Sequence, residues 1–373
     1  MKASNDYYSN TIPSLDGMRA VSVLLVVIGH SGFANFVPGG FGVTIFFFLS
    51  GYLITKLLLD EFIQTGTISI RDFYIRRFFR LAPSLFITLG LAYGLVYAGL
   101  LSGGISFAGF LSQVFYLANY NSIFFHAIIP DGTGILWSLA VEEHFYLFYP
   151  LILLGLVKII TSKFRIAFVL TIVCALCLAW RCYLASRPGF QEWRTYYASD
   201  TRIDSIAYGC LLALLFGPVP APRDHKPTAA QLTIVCAALV AIAGTFFYKN
   251  DFLRETFRYS VQGMALIPIF YLAIRFHSNR SFAWLNTWPA IRVGRYSYEI
   301  YLAHFIVIFV LKPHLSWSAT ILIAAFSSSL MYAALLNRFV SPYFVRLRRR
   351  FHHQSPRISL DSIGEIPARS LSE

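Results

Sequence analysis

The sequence predicts an all-α, polytopic membrane helix bundle with about ten transmembrane helices and both termini in the cytoplasm. Two observations carry this. Of the 373 residues, 57% are hydrophobic and only 13% are charged, whereas a soluble domain carries about 25% charged residues. The chain also divides into apolar stretches of roughly the twenty residues that cross a hydrocarbon core. A net charge of +13 invites a nucleic-acid reading. The basic residues instead cluster at the ends of apolar stretches, the mark of cytoplasmic loops, and nucleic acid is excluded as a partner.

The spans run in order. Before Leu15 the chain is polar, without the apolar run and cleavage site of a secretory leader, so span 18–37 is expected to act as its own uncleaved signal. Span 42–60 is rich in aromatic residues, with Ser50 and glycines that let helices approach closely. The connection 56–80 carries Lys56, Arg71, Arg76, Arg77 and Arg80 and is assigned to the cytoplasm, so span 81–101 returns outward. Spans 138–157, 166–185, 202–216 and 229–248 follow, with Lys158, Lys163 and Arg165, then Arg223 and Lys226, marking inside loops. Spans 258–274, 296–311 and 318–340 complete the set, and Arg275, Arg280, Arg292, Arg295, Arg346, Arg348, Arg349 and Arg350 fall inside.

These assignments agree only if the apolar stretch 105–125, interrupted by Gln113, Asn119 and Asn121, does not cross. Residues 101–137 are then outside, as a re-entrant or interfacial segment. Arg187, Arg194, Lys249 and Arg254 also fall outside and run against the rule. One integral-membrane domain over 1–345 is expected, with a basic cytoplasmic tail, 346–373, that is polar and patternless after Phe351 and expected to be disordered. Cys174 and Cys177 form a CxxC inside an apolar span. With no second pair or acidic neighbours, they read, like Cys182, Cys210 and Cys236, as ordinary thiols.

Six polar islands interrupt the apolar pattern. Arg19 and His30, eleven residues apart, fall on one face of the first span, about 16 Å apart along its axis. A charge in mid-span costs about 2.5–3.5 kcal/mol and points to a wet cavity or a partner. The alternative is a snorkelling arginine and a histidine bonded to a backbone carbonyl. The glycines and Ser50 of 39–55 read first as helix packing. Arg77 and Arg80 share a face just before a span, suiting either a positive-inside anchor or a cytoplasmic phosphate clamp of paired guanidinium forks. In 136–150, Glu142 and Glu143 point to different faces, so at most one is expected at a site and the other at an exposed rim. Arg202 and Asp204 open another span, as a salt-bridge network or a functional pair. Glu299 and His304 lie in an aromatic span, where a histidine satisfied within the bundle is the plainer reading.

Taken together, these islands resemble the acyltransferase 3 family of membrane-bound O-acyltransferases over nearly the whole chain apart from the tail. The family's Arg/Lys–x10–His appears as Arg19 and His30. Its arginine motif appears as Arg77 and Arg80 with Pro83 following. Its WSLxxExxFY appears as Trp137, Ser138, Leu139, Glu142, Phe145 and Tyr146. Its SYxxYLxH appears as Ser297, Tyr298, Tyr301, Leu302 and His304, and the glycine-rich FFxxSGYL fits the stretch that ends in Ser50, Gly51, Tyr52 and Leu53. The resemblance implies transfer of an acyl group, acetyl above all, from cytoplasmic acyl-CoA to a hydroxyl of a cell-surface or secreted glycan. Family members modify lipopolysaccharide, exopolysaccharide, peptidoglycan, lipochitooligosaccharides and macrolides. Only about twenty polar residues follow the last helix, so in place of a fused esterase-like domain the chain is expected to deliver the acyl group itself or to hand it to a separate protein.

On this reading His30 is the general base and Arg19 and Glu142 complete the catalytic set, with Glu142 orienting His30 or the acceptor. Arg77 and Arg80 hold the phosphates of acyl-CoA. Ser50, Trp137, Ser138, Arg202, Asp204, Tyr298 and His304 support the site or the substrate. No metal is expected, because the histidines and carboxylates lack ligand spacing. Expected partners are the lipid bilayer, a glycan or lipid-linked saccharide and a separate acceptor protein, in a bacterial inner membrane. Two alternatives stay open: acylation of a non-glycan small molecule such as a macrolide, and a transporter that uses the intramembrane His, Glu and Arg as a relay.

Overall fold

The computed structural model describes residues 13–160, 162–217, 226–248 and 250–351. Arg223, Lys249, the polar residues at the start of the chain and the tail beyond Phe351 lie outside the described residues.

Each of the ten expected spans is a helix. We label them α1 (Pro13–Ile28), α2 (Gly39–Thr65), α3 (Ile70–Tyr97), α4 (Leu136–Ile159), α5 (Lys163–Ala185), α6 (Ser199–Phe216), α7 (Ala229–Phe246), α8 (Phe257–Arg275), α9 (Ser297–Leu311) and α10 (Ser318–Leu335). Among the described residues, eight helices are long and apolar enough to cross a membrane, namely all of these except α6 and α9. The two exceptions are interior helices. α6 is buried almost without a break from Thr201 to Leu214, so its polar residues are spared contact with lipid. α9 has 15 residues, about 22 Å of helix, and is covered by its neighbours. Lipid-facing surface is carried by helices such as α5 and α7, where Phe168, Ile172, Leu176, Ile234, Leu239 and Val240 are exposed.

Local chemistry sets the helix ends. Ser69 caps α3 by accepting from the Asp72 N–H, and Thr228 and Gln231 form a capping box on α7. α2 stops at Gly66, whose φ of 72° suits a residue without Cβ and whose N–H donates to the Phe62 carbonyl. α2 and α6 cross with their backbones in close approach. A methyl on Gly51 would overlap the Ile206 carbonyl, and one on Gly209 would overlap the Phe48 carbonyl. The small residues of 39–55 therefore do serve packing.

Residues 105–125 form only short pieces, Phe107–Val114, Ala118–Tyr120 and a π turn at Asn121–Phe125, none near the length of a crossing. Their polar interruptions are tied inward. The Tyr93 hydroxyl donates to Gln113, which donates to Thr133. Of the two expected courses, re-entrant and interfacial, the chain takes the one that folds back into the bundle. α4 runs antiparallel to α3, with Tyr74 donating to the Leu147 carbonyl and Leu136 packed with Leu85. α4 therefore begins beside the middle of α3, and α3 continues some twelve residues, about 18 Å, beyond that level. The connection folds back down the bundle wall, where Gly132 meets the Ile306 backbone.

At the other end of the chain, Ser341–Phe351 is helical. Residues 346–351, expected to begin the disordered tail, instead continue a helix whose Phe344 and Phe351 pack on Phe79 of α3.

Candidate functional site

α1 does not end as a regular helix. It breaks at a kink within Gly29–Phe33, where Gly32 has a φ of 100° that a residue without Cβ adopts freely. The kinked end carries His30 against α9. His30 Nδ1 lies 2.9 Å from His304 Nε2, and the two rings are within 4° of parallel. His30 also stacks on Phe305 at 4.3 Å between centroids.

The protons of this pair follow from its partners. His304 Nδ1 lies 2.7 Å from the Tyr301 carbonyl and 3.2 Å from that of Ile300. Carbonyls only accept, so His304 Nδ1 carries a hydrogen and its Nε2, in the neutral ring, offers a lone pair. The hydrogen between the rings then belongs to His30 Nδ1, which leaves His30 Nε2 with a free lone pair. His304 is fully buried, while His30 is partly accessible. An imidazole held in this way can accept a proton at Nε2.

The arginines of α1 and α3 gather one level below. Arg77 Nε lies 3.1 Å from Glu143, Arg77 Nη2 lies 3.9 Å from Glu142, and the guanidinium sits 3.2 Å over the Tyr146 ring. Ser50 donates to Glu142 at 2.8 Å. Both adjacent glutamates thus meet one arginine, and neither is the exposed rim charge expected from the sequence, since their side chains are only 14% and 20% exposed. The two faces are about 100° apart, and the arginine fork spans them because α3 lies against α4 here.

Arg77 is therefore engaged by carboxylates, whereas the second arginine of the motif is not. Arg80 is exposed on the protein's own surface and has no ion pair among the described residues. It shares its surroundings with Arg19, Arg77 and Glu299. Arg19 bonds Asp16 at 2.9 Å, and Asp16 also meets Arg295 at 3.3 Å.

Glu142 does not reach His30. Ser138, one turn before Glu142, bonds Tyr301 at 2.7 Å. Tyr301 lies three residues before His304 on the antiparallel α9. Seven helical residues, about 10 Å along the bundle, therefore separate the levels of Glu142 and His304. The late start of α4 puts Glu142 with the arginines. Tyr298 closes the gap to α3 by donating to the Leu81 carbonyl at 3.1 Å.

Arg202 and Asp204 sit elsewhere and do not pair with each other. Asp204 forms a fully buried bidentate bridge to Arg181, at 2.6 and 2.8 Å, with Ser260 also bonded. The Arg202 guanidinium lies over the rings of Tyr259, Phe47, Tyr196 and Trp137, 4.1 to 5.7 Å from their centroids. Arg181 was missed in the sequence, although a cation inside span 166–185 carried the same signal as Arg19. Glu143, Tyr146 and Glu299 are further members that sequence spacing alone did not place. All five cysteines are free. Among the described residues no three His, Cys, Asp or Glu side chains cluster as a metal site.

Residues 12–338 match the acyltransferase 3 family model, described as Acyltransferase domain. The chain is 31% identical over 347 residues to a candidate O-acetyltransferase of Staphylococcus aureus (strain COL), which covers 89% of this chain and 57% of the relative. It is 30% identical over 365 residues to the peptidoglycan O-acetyltransferase OatA of Listeria monocytogenes, covering 91% and 57% respectively. Against the candidate peptidoglycan O-acetyltransferase YrhL of Bacillus subtilis (strain 168) it is 31% identical over 320 residues, covering 81% and 49%. The chain spans about half the length of these curated relatives.

Proposed function

This chain belongs to the acyltransferase 3 family, and from that membership we propose that it is a multi-pass O-acetyltransferase of a bacterial cytoplasmic membrane that moves an acetyl group from acetyl-CoA to a hydroxyl of a cell-wall glycan. The observation that carries the proposal is the histidine pair: His304 holds His30 so that Nε2 presents its lone pair at the end of α1. Arg19 lies eleven residues back on the same helix, about 16 Å away, beside the unpaired Arg80. Arg80 and Arg19 take the donor's phosphates, and the flexible arm of the donor runs along α1 to bring the thioester to His30. The acceptor approaches from the opposite end of the bundle. Its hydroxyl gives a proton to His30 Nε2 while its oxygen bonds to the acetyl carbon. The carbon–sulfur bond then breaks, and the departing thiolate takes that proton from His30. Arg77, Glu142 and Ser50 hold α2, α3 and α4 together at the donor level. The glycan acceptor is supported by the names of two relatives as peptidoglycan O-acetyltransferases.

The test is acetyl transfer from labelled acetyl-CoA to purified cell-wall glycan by the full chain in lipid nanodiscs. His30→Ala should insert normally and lose roughly 10²–10⁴-fold in rate, the usual effect of removing an acid–base group. Near-wild-type transfer by that variant at equal folded protein would remove His30 from the chemistry.

A further inference from the structure

Between the short helix Glu192–Tyr197, which precedes α6, and the segment 251–258, which leads into α8, lies a cavity of about 220 Å³. We propose that this cavity is a saccharide subsite that holds one pyranose ring of the acceptor glycan. The proposal rests on the acyltransferase reading and adds to it where the acceptor is gripped.

The lining has the two chemistries a sugar needs. One wall is aromatic: Trp193, Tyr196 and Tyr197, with Trp193 52% exposed and available for stacking against the apolar face of a ring. The other wall is polar and charge-balanced, with Glu192 and Glu255 against Arg254 and Arg258. Arg254 bonds both Glu192 and Glu255, at 2.5 and 3.0 Å, and Arg258 bonds Glu255 at 3.3 Å. Glu255, 2% exposed, also accepts from Thr195 and Tyr259. These bonds tie the two segments together, so the cavity is preformed. Arg258 Nε has no hydrogen-bond partner, which leaves that guanidinium short of an acceptor.

Size and charge narrow the ligand. Pockets for drug-sized molecules run about 300–1,000 Å³, so 220 Å³ suits a single ring-sized unit. Two arginines balanced by two glutamates, with Asp251 also on Arg254, give no net attraction for a phosphate group. A neutral polyol, with paired hydroxyls for guanidinium and carboxylate forks and C–H faces for the aromatic wall, fits both features. A belt of interfacial aromatic anchors accounts for the exposed Trp193 but not for the ion-pair network built on the buried Glu255 behind it.

The cavity also communicates with the histidine pair. Tyr196 and Tyr197 each lie 5.0 Å from the Trp137 ring, and the next residue, Ser138, bonds Tyr301. On the other side, a methyl at Gly40 would press on the Tyr196 hydroxyl, and Gly39 packs on Gly29, the neighbour of His30. A sugar seated here extends its chain toward His30 over residues at the same end of the bundle.

The experiment uses the full chain in nanodiscs with N,N′-diacetylchitobiose, a neutral amino-sugar disaccharide, as the probe. Saturation-transfer NMR should show the sugar bound, and Trp193→Ala should weaken it about tenfold, the loss of one stacking platform. Trp193→Phe should keep most of the affinity, which separates stacking from a folding defect. Coenzyme A should not displace the sugar. His30→Ala should bind it as the wild type does, so failure of His30 as the base is read separately from failure of the subsite. No binding of chitobiose, equal binding by Trp193→Ala, or displacement by coenzyme A would each overturn the proposal.

Discussion

If His304 acts only by orienting His30, its removal should cost little, and nothing further once His30 is gone. His304→Phe keeps a ring against Tyr301 and Phe305 but deletes the Nε2 acceptor 2.9 Å from His30 Nδ1. The lost bond joins two neutral groups, and such bonds contribute about 0.5–1.5 kcal/mol. His30 is partly accessible, so water can take the freed donor and no full desolvation penalty arises. The expected fall in kcat is therefore about two- to tenfold, with donor KM unchanged because the arginines lie at another level. His30→Ala should fall by roughly 10²–10⁴. The double variant should equal His30→Ala alone, since an orienting group has nothing left to orient. Single-turnover acetyl transfer in nanodiscs, at matched thermal stability, measures all three. Two results refute the reasoning: a double variant slower by the product of the single effects, or a His304→Phe variant as slow as His30→Ala.

The two arginines of α3 should separate kinetically. Arg80→Lys should raise donor KM about tenfold with kcat held, because an ammonium lacks the planar fork that grips phosphate, whereas Arg77→Lys should lower thermal stability and kcat by loosening Glu142 and Glu143 and leave donor KM nearer its original value; identical steady-state profiles for the two variants would sink this division of roles. Orientation is open to cysteine labelling in a background where the exposed Cys236 is replaced. An impermeant maleimide should reach Ser102→Cys and Ser186→Cys from outside intact cells, and Thr67→Cys only after permeabilisation. Labelling of Ser102→Cys and Ser186→Cys from opposite sides would show that 105–125 does cross.

Much of the bundle was legible because water and lipid treat side chains so differently. Stretches with almost no charge had to be spans, and Gln113, Asn119 and Asn121 had to break the one that is not; Asn119 and Asn121 are buried and bonded to Ser199 and to the Ala127 backbone. Arg19 and His30 stood out because ionisable groups in apolar helices are costly to keep. Their partners were not legible. His30 meets a residue 274 positions away, and the kink that presents it depends on Gly32 in a backbone state that composition alone does not announce. The depth of α4 was likewise hidden, since no local pattern reveals how far 101–135 folds back beside α3. That single register put Glu142 with the arginines rather than with His30.

The two buried arginines near α6 show why spacing alone misassigns partners. Arg202 and Asp204 are neighbours in sequence, yet the acid serves Arg181, a cation from another helix, in a bridge with 0% exposure on both sides. Breaking such a bridge by removing one partner costs about 3–5 kcal/mol, since a charge is left buried and unpaired. Arg202 is then left with no carboxylate at ion-pair distance among the described residues. Its charge is held by the four rings around it and by the Thr44 hydroxyl and the Tyr196 carbonyl. Rings at this range contribute up to about 2 kcal/mol each when desolvated, which together can offset the burial of one guanidinium. The same contacts fix the rings in return. Tyr196 lines the cavity, and Trp137 packed behind it makes the step toward Ser138 and Tyr301, so the cation orders the aromatic wall between the cavity and the histidine pair. Arg181 and Asp204, by satisfying each other, leave Arg202 free for that purpose.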